Sequence, residues 1–242
     1  SVYANLKSDI QAADISIVNQ ETPFTTNHDL VSGTSPYATP SEIGDALVNA
    51  GFNVVTSATS LINDNGSSMI NETLNYWKSN HPEVTLAGIH SSQTSTDSPQ
   101  IVEVNGIKIA FLDYTFPEYG SQQTDAGDGS TDSSFDSSDG SGDSSSGGTS
   151  DGSGDGSSSS SDSSGSTTGS GSMIDTFSTT TVAAAIKKAR ASADCIIFSA
   201  NWGKTEEPMP TEYEKEWANF LMEQGVDVVI GTNPNVLQPY GY

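Results

Sequence analysis

Ile101-Val102-Glu103-Val104-Asn105-Gly106-Ile107-Lys108-Ile109-Ala110-Phe111-Leu112 is a pair of β-rich runs on either side of Asn-Gly. Asn-Gly supplies the two positive-φ positions that a type I′ turn requires, so the stretch reads as a β-hairpin. Outward from it, strands alternate with helices. Upstream, residues 6–13 read as the end of a helix and 14–18 as a short buried strand, with further strands over 52–56 and 84–89. A helix opens at Pro40-Ser41-Glu42, runs through Ile43, Leu47 and Val48, and stops at Gly51; a second, over 69–79, places Ile70, Leu74 and Trp77 at near-helical spacing. Downstream come a helix over 181–193, a strand over 195–199, a helix over 212–224 and a strand over 226–230. Alternation with one hairpin predicts an α/β domain with a mixed sheet or two packed sheets.

The 242 residues carry 31 Asp and Glu against 8 Lys and Arg, a formal charge of −23. Residues 121–172 are almost entirely Ser, Gly, Asp and Thr, too polar to offset the entropy of ordering them, and are expected to form a disordered insertion. The expected organisation is therefore one α/β domain over 1–120 and 173–242, interrupted by that insertion. Asp151–Gly156 within it resembles part of a calcium loop, but it lacks the fixed Asp offsets and closing Glu and is read as a solvated linker or glycosylatable tract. The insertion's nine Asp leave the remainder acidic as well, which argues against nucleic acid and against direct attraction to an anionic membrane. No run is long and apolar enough to span a bilayer, so membrane association is expected only through an anchor outside these residues. The lone Cys195, in an apolar run, reads as a core residue.

Ligands of α/β folds gather at the carboxyl ends of strands. Those ends carry Asn19 and Glu21, then the stretch 57–66, then Asn201-Trp202-Gly203-Lys204, and last Gly231-Thr232-Asn233-Pro234-Asn235. Glu21 is either a ligand carboxylate or a cap for the turn that follows. Asn19, Asn201, Asn233 and Asn235 form either an uncharged sugar- or peptide-binding pocket or a set of amides that satisfy backbone groups. Asp64, before Asn65-Gly66, reads as a turn residue, and Trp202 as packing or a sugar platform. His28 and His81 read as solvated surface residues, and His90, after a strand, as a pocket candidate.

Five blocks carry a family resemblance: Asn19-Gln20-Glu21-Thr22-Pro23; the stretch 58–66 in the place of A-N-N-H-x-x-D-x-G; Asn-Gly-Ile-Lys-Ile-Ala-Phe-Leu over 105–112; Trp202-Gly203 seven residues before Pro210; and Gly225-Val226-Asp227-Val228-Val229-Ile230-Gly231 running to Pro234 and Val236-Leu237-Gln238-Pro239. In order and spacing they resemble the CapA family of poly-γ-glutamate capsule synthesis, on the calcineurin-like metallophosphatase fold. The resemblance implies a four-layer αββα sandwich with a divalent-metal site at the strand ends, an extracellular or cell-surface bacterial setting, and an anionic or glycan surface polymer as partner. It also implies that the family's first strand, with its Gly-Asp ligand, and its closing Ser-Leu-Gly-Asn-Phe block fall outside these residues; the chain opens at Ser1, without Met, and reads as a processed or partial form.

The family's ligand positions are altered. Asn-Asn-His becomes Thr59-Ser60-Leu61, the His before Trp-Gly becomes Asn201, and the His-rich final loop reads Thr232-Asn233-Pro234-Asn235. Leucine neither ligates nor transfers a proton, so no catalytic residue is assigned and no cofactor is expected, with Glu21 the best remaining metal ligand. The resulting ligand-binding set is Asn19, Glu21, Asn201, Trp202, Thr232, Asn233 and Asn235. The leading expectation is a catalytically degenerate binding or scaffolding domain. The alternatives are a hydrolase of phosphodiester or γ-glutamyl bonds with an oxygen-rich metal site, and a purely structural surface module.

Overall fold

The computed structural model describes residues 3–91, 99–116 and 173–241. The expected insertion at 121–172, with its calcium-like stretch, lies outside the described residues. The elements are α1 (Lys7–Ala12), β1 (Ile17–Asn19), β2 (Phe24–Thr25), β3 (Thr39–Pro40), α2 (Glu42–Ala50), β4 (Val54–Thr56), α3 (Ser67–Asn80), β5 (Thr85–Ala87), β6 (Gln100–Val104), β7 (Ile107–Thr115), α4 (Thr179–Arg190), β8 (Cys195–Asn201), α5 (Glu212–Glu223) and β9 (Val228–Thr232). The parallel strands β1-β4-β5 form one sheet and β6-β7-β8-β9 a second, in which β6 alone is antiparallel; β2 and β3 make a short separate pair.

Period-two alternation assigns the faces of both sheets. Val18, Val55 and Leu86 point outward onto Leu47, Val48 and Trp77 of α2 and α3. Ala110, Leu112, Ile196 and Phe198 point outward onto α4 and α5. The inward residues of the two sheets meet: Ile17, Val54 and Ala87 from the first, Val102, Ile109, Phe111 and Ile197 from the second. Helix, sheet, sheet, helix is the αββα sandwich, with each sheet buried on both faces.

The punctuation residues act as their chemistry predicts. Asn105 and Gly106 have φ of 53° and 82°, the positive pair that lets β6 turn into β7 in register. Gly51 closes α2 at φ 115°, returning its N–H to Leu47 and Val48. α5 begins with a capping box in which Thr211 and Glu214 satisfy each other's backbone amides.

Several strand boundaries move relative to the sequence reading. β8 and β9 run two residues further than expected, to Asn201 and Thr232, and these pair as the last rungs of the ladder. β1 starts only at Ile17, because the Asn53 side chain accepts from the Ser16 N–H at 2.9 Å and fixes the approach to the strand. His81 is also corrected: its side chain is only 15% exposed, sits against Tyr76 and Trp77, and bonds Asp45 at 2.7 Å, where it joins α3 to α2. His28 is exposed, as expected, beside Glu42.

Phe198 is fully buried between the second sheet and its helices, stacked on Tyr114 at 5.3 Å. Phe198→Ala removes a ring from a layer that cannot collapse around it, at an expected cost of about 3–5 kcal/mol. Urea denaturation should show the midpoint falling with the slope unchanged.

Candidate functional site

The inward face of the second sheet changes character along its strands. Phe111 pairs with Ile197 in an apolar row; the next inward row is Asp113 with Ser199, and the last is Thr115, Asn201 and Thr232. On the first sheet, Asn19 and Thr56 occupy the matching inward row at the strand ends. Two polar strips thus face each other at the carboxyl end of the sandwich. The turns after β1 and β4 close over them.

Asn201 is the hub, only 2% exposed. Its Oδ1 accepts from the Ser60 N–H at 3.1 Å and from the Thr115 hydroxyl at 3.3 Å. Its Nδ2 donates to the Thr232 hydroxyl at 3.1 Å, and its side chain is hydrogen-bonded to the Glu21 carboxyl. An asparagine side chain offers two donors and two acceptor sites; both acceptor sites and one donor are held at 3.1–3.3 Å inside the protein. Burial pushes the Glu21 carboxyl above the usual carboxylate range, against the pull of that bond. The Glu21 carbonyl accepts from the Thr59 hydroxyl, which draws the β1 and β4 turns together.

The remaining expected residues divide. Asn19 lies in the polar strip, accepting from the Thr56 hydroxyl at 3.3 Å. Asn233, at φ 91°, is 8% exposed and donates to the carbonyls of Trp202 and Gly203, both at 3.0 Å, so its amide holds the loop after β8. Asn235, at φ 59°, is exposed on the far side of Pro234 and is not drawn into the cluster. Trp202 is 7% exposed and lies in the helix-side core beside Phe116, so its ring packs under the site and presents no face to a sugar. Asp64 accepts from the Tyr37 N–H at 3.1 Å, the structural role expected of it. Leu61 is half-buried next to Ile62, whose side chain joins Ile70 and Ile89 in a small core.

Sequence reasoning missed Asp113. Its carboxylate is 2% exposed and accepts from the Ser57 and Ala58 amides, both at 2.7 Å. Burial pushes its pKa up to about 7, while the Ala58 and Ser57 amides and the Ser199 hydroxyl pull it back. His90 approaches the second carboxylate of this region, Asp175, at 3.2 Å. One signal was available: Asp113 interrupts the run Ile109-Ala110-Phe111-Leu112 on the same parity as Ile109 and Phe111, which face the sheet interior.

The metal implied by the resemblance does not fit these donors. Asn201 could turn an oxygen to a cation only by releasing Ser60 and Thr115, and Leu61 has no donor. Among the described residues, no three His, Cys, Asp or Glu side chains converge on a point that could hold a metal ion. Apart from the buried Asp113 carboxyl, the strip is a network of hydroxyls and amides with one half-buried carboxyl, Glu21, at its rim.

Two comparisons with known proteins bear on this geometry. Over residues 1–242 the chain matches the family described as bacterial capsule synthesis protein PGA_cap. It is also similar to the PGA biosynthesis protein CapA of Bacillus subtilis (strain 168), 28% identical over 54 residues, a stretch that is 22% of this chain and 14% of that protein. With the αββα layers and the strand-end site in place, the match across its whole length makes this chain a member of the bacterial capsule synthesis family PGA_cap.

Proposed function

We propose that this domain serves capsule synthesis at the bacterial cell surface by binding or scaffolding a capsular polymer, and not by metal-dependent hydrolysis. The observation that supports this reading is the saturation of Asn201. A side chain whose oxygen accepts from Ser60 and Thr115 and whose amide donates to Thr232 is a structural knot, and it leaves no free lone pair for a cation. What the rim offers a ligand is the Glu21 carboxyl, Asn19 and the outer edge of Thr232.

Charge limits how a polymer can be held. With 31 acidic residues against 8 basic ones, long-range repulsion opposes a polycarboxylate. Contact with such a chain must be short-range and must strengthen as salt screens the repulsion, whereas a neutral glycan meets no such barrier. No helix among the described residues is long and apolar enough to cross a membrane, so attachment to one would rest on an anchor outside this chain.

Two measurements test the proposal. Asn201→Ala should cost about 1–3 kcal/mol in urea denaturation, because it removes the partner of the buried Thr115 hydroxyl and of the part-buried Ser60 N–H and Thr232 hydroxyl; a neutral effect would mean the side chain is free for ligands. Isothermal titration with Mn²⁺ and Zn²⁺ should show no stoichiometric site, and poly-γ-glutamate should bind more tightly at physiological than at low ionic strength, with Glu21→Gln weakening it. Stoichiometric metal with turnover of a phosphodiester or γ-glutamyl substrate would establish the hydrolase instead. Blank binding to both poly-γ-glutamate and neutral capsular glycans would leave a purely structural module.

A further inference from the structure

The turn after β4 is held by its backbone, from the other sheet. Ser57 and Ala58 give their N–H groups to Asp113 on β7, and Ser60 gives its N–H to Asn201 on β8. Thr59, between them, gives its hydroxyl to the Glu21 carbonyl. One carboxylate oxygen therefore receives the first two amides of a four-residue turn whose other two residues bond Glu21 and Asn201 of the candidate site.

The surroundings of Asp113 are shaped closely around its carboxyl group. Gly88, at φ 90°, lies where any Cβ would collide with both the carboxylate oxygen and the Ala58 amide. Asp175 closes the same space from the segment before α4, with its N–H on the Gly88 carbonyl and its own carbonyl on the Thr115 N–H, each at 2.9 Å. Among the described residues, the charged group that faces Asp113 is Asp175, backed by His90; the β4 turn contributes only amides, and β8 only the Ser199 hydroxyl.

We propose that Asp113 is the positioning residue of the candidate pocket: its carboxylate, reaching across from the second sheet, sets the Ser57–Ser60 turn and thereby the placement of Thr59 and Ser60 against Glu21 and Asn201. When the carboxylate takes a proton, it keeps one oxygen for the amides but loses the charge that binds two of them at once, and the turn relaxes. Because burial holds this group near neutrality, the change falls within ordinary pH. The location of the pocket comes from the functional reading above, but the test reads the turn itself, so a failed polymer screen and a failed Asp113 proposal are distinguishable.

The test is a pH titration of the full ¹³C,¹⁵N-labelled chain, following the Asp113 carboxyl carbon and the Ser57, Ala58 and Ser60 amides. All four signals should move together with one midpoint near neutrality; the amide shifts should vanish in Asp113→Asn and persist in His90→Gln. In Asp113→Asn, hydrogen exchange at Ser60, which Asp113 does not touch, should quicken by about tenfold or more relative to the Phe198 amide, the equivalent of one hydrogen bond lost in transmission. The folded pKa lies above the unfolded one, so this group's stabilisation is complete below the unfolded value and is lost as pH rises through the folded value; relative to Asp113→Asn, wild type should therefore lose stability from near pH 3.8 to about 7 and no further above that. A carboxyl titrating in the ordinary Asp range, loss of the amide shifts in His90→Gln, or a Ser60 amide unmoved in every condition would overturn the proposal. If Asp113→Asn does not fold, the wild-type and His90→Gln titrations decide it.

Discussion

Asn201 and Asp113 do from within one sheet what a turn ordinarily does for itself. The loop after β4 has too few residues to satisfy its own amides, and Ser57, Ala58 and Thr59 in it are buried. Buried N–H groups left unpaired cost about 1–3 kcal/mol each. The second sheet supplies the acceptors instead, Asp113 for Ser57 and Ala58 and Asn201 for Ser60. Separation of the two sheets would therefore expose more than apolar area. It would leave the Ala58 amide and the Asp113 carboxyl without partners and break the bonds of Ser57 and Ser60 across the gap, so the polar rows fix the relative position of the sheets together with Phe111 and Ile197 in the apolar rows behind them.

This division of labour explains why the strand ends are both structural and available. Apolar contact between sheets is tolerant of sliding, whereas hydrogen bonds of about 3 Å are not. Placing the polar rows at the carboxyl ends locks register there, and leaves the half-buried rim groups, Glu21 and Asn19, on a rigid frame. Rigidity of this kind favours a binding role, since a pre-set surface loses little freedom when a ligand arrives.

Much of the fold was legible because it rests on local rules. The Asn105-Gly106 turn, the Gly51 stop and the apolar parity of β7 and β8 each follow from residue chemistry within a few positions. The geometry of the candidate site was legible in part: Asn19, Glu21, Asn201 and Thr232 lie together at the strand ends. Trp202 and Asn235 do not join them: Asn235 lies in the loop beyond β9, and for Trp202 the reason is parity. A residue one step along a strand from Asn201 faces the helices, so Trp202 had to be core. His81 was misread because its polar neighbours in sequence gave no sign of the Tyr76 and Trp77 rings that a helix turn brings against it. Asp113 went unseen for a different reason. Its partners are backbone amides 55 and 56 residues away, and backbone groups carry no signature in a sequence.

The same geometry shapes what a ligand could recognise under the binding reading. Saturated amides contribute position but no free hydrogen bonds, so specificity must come from the rim. Glu21 is the versatile member: ionised, it accepts from a hydroxyl or amide, and protonated, it can donate to a carboxylate. Burial raises its pKa and so widens the range in which the second form is populated. An acidic protein that must approach an acidic polymer gains from a contact that can be made without a second negative charge. That requirement does not arise for a neutral glycan, and the dependence of binding on both pH and salt is therefore what separates the two kinds of polymer on physical grounds.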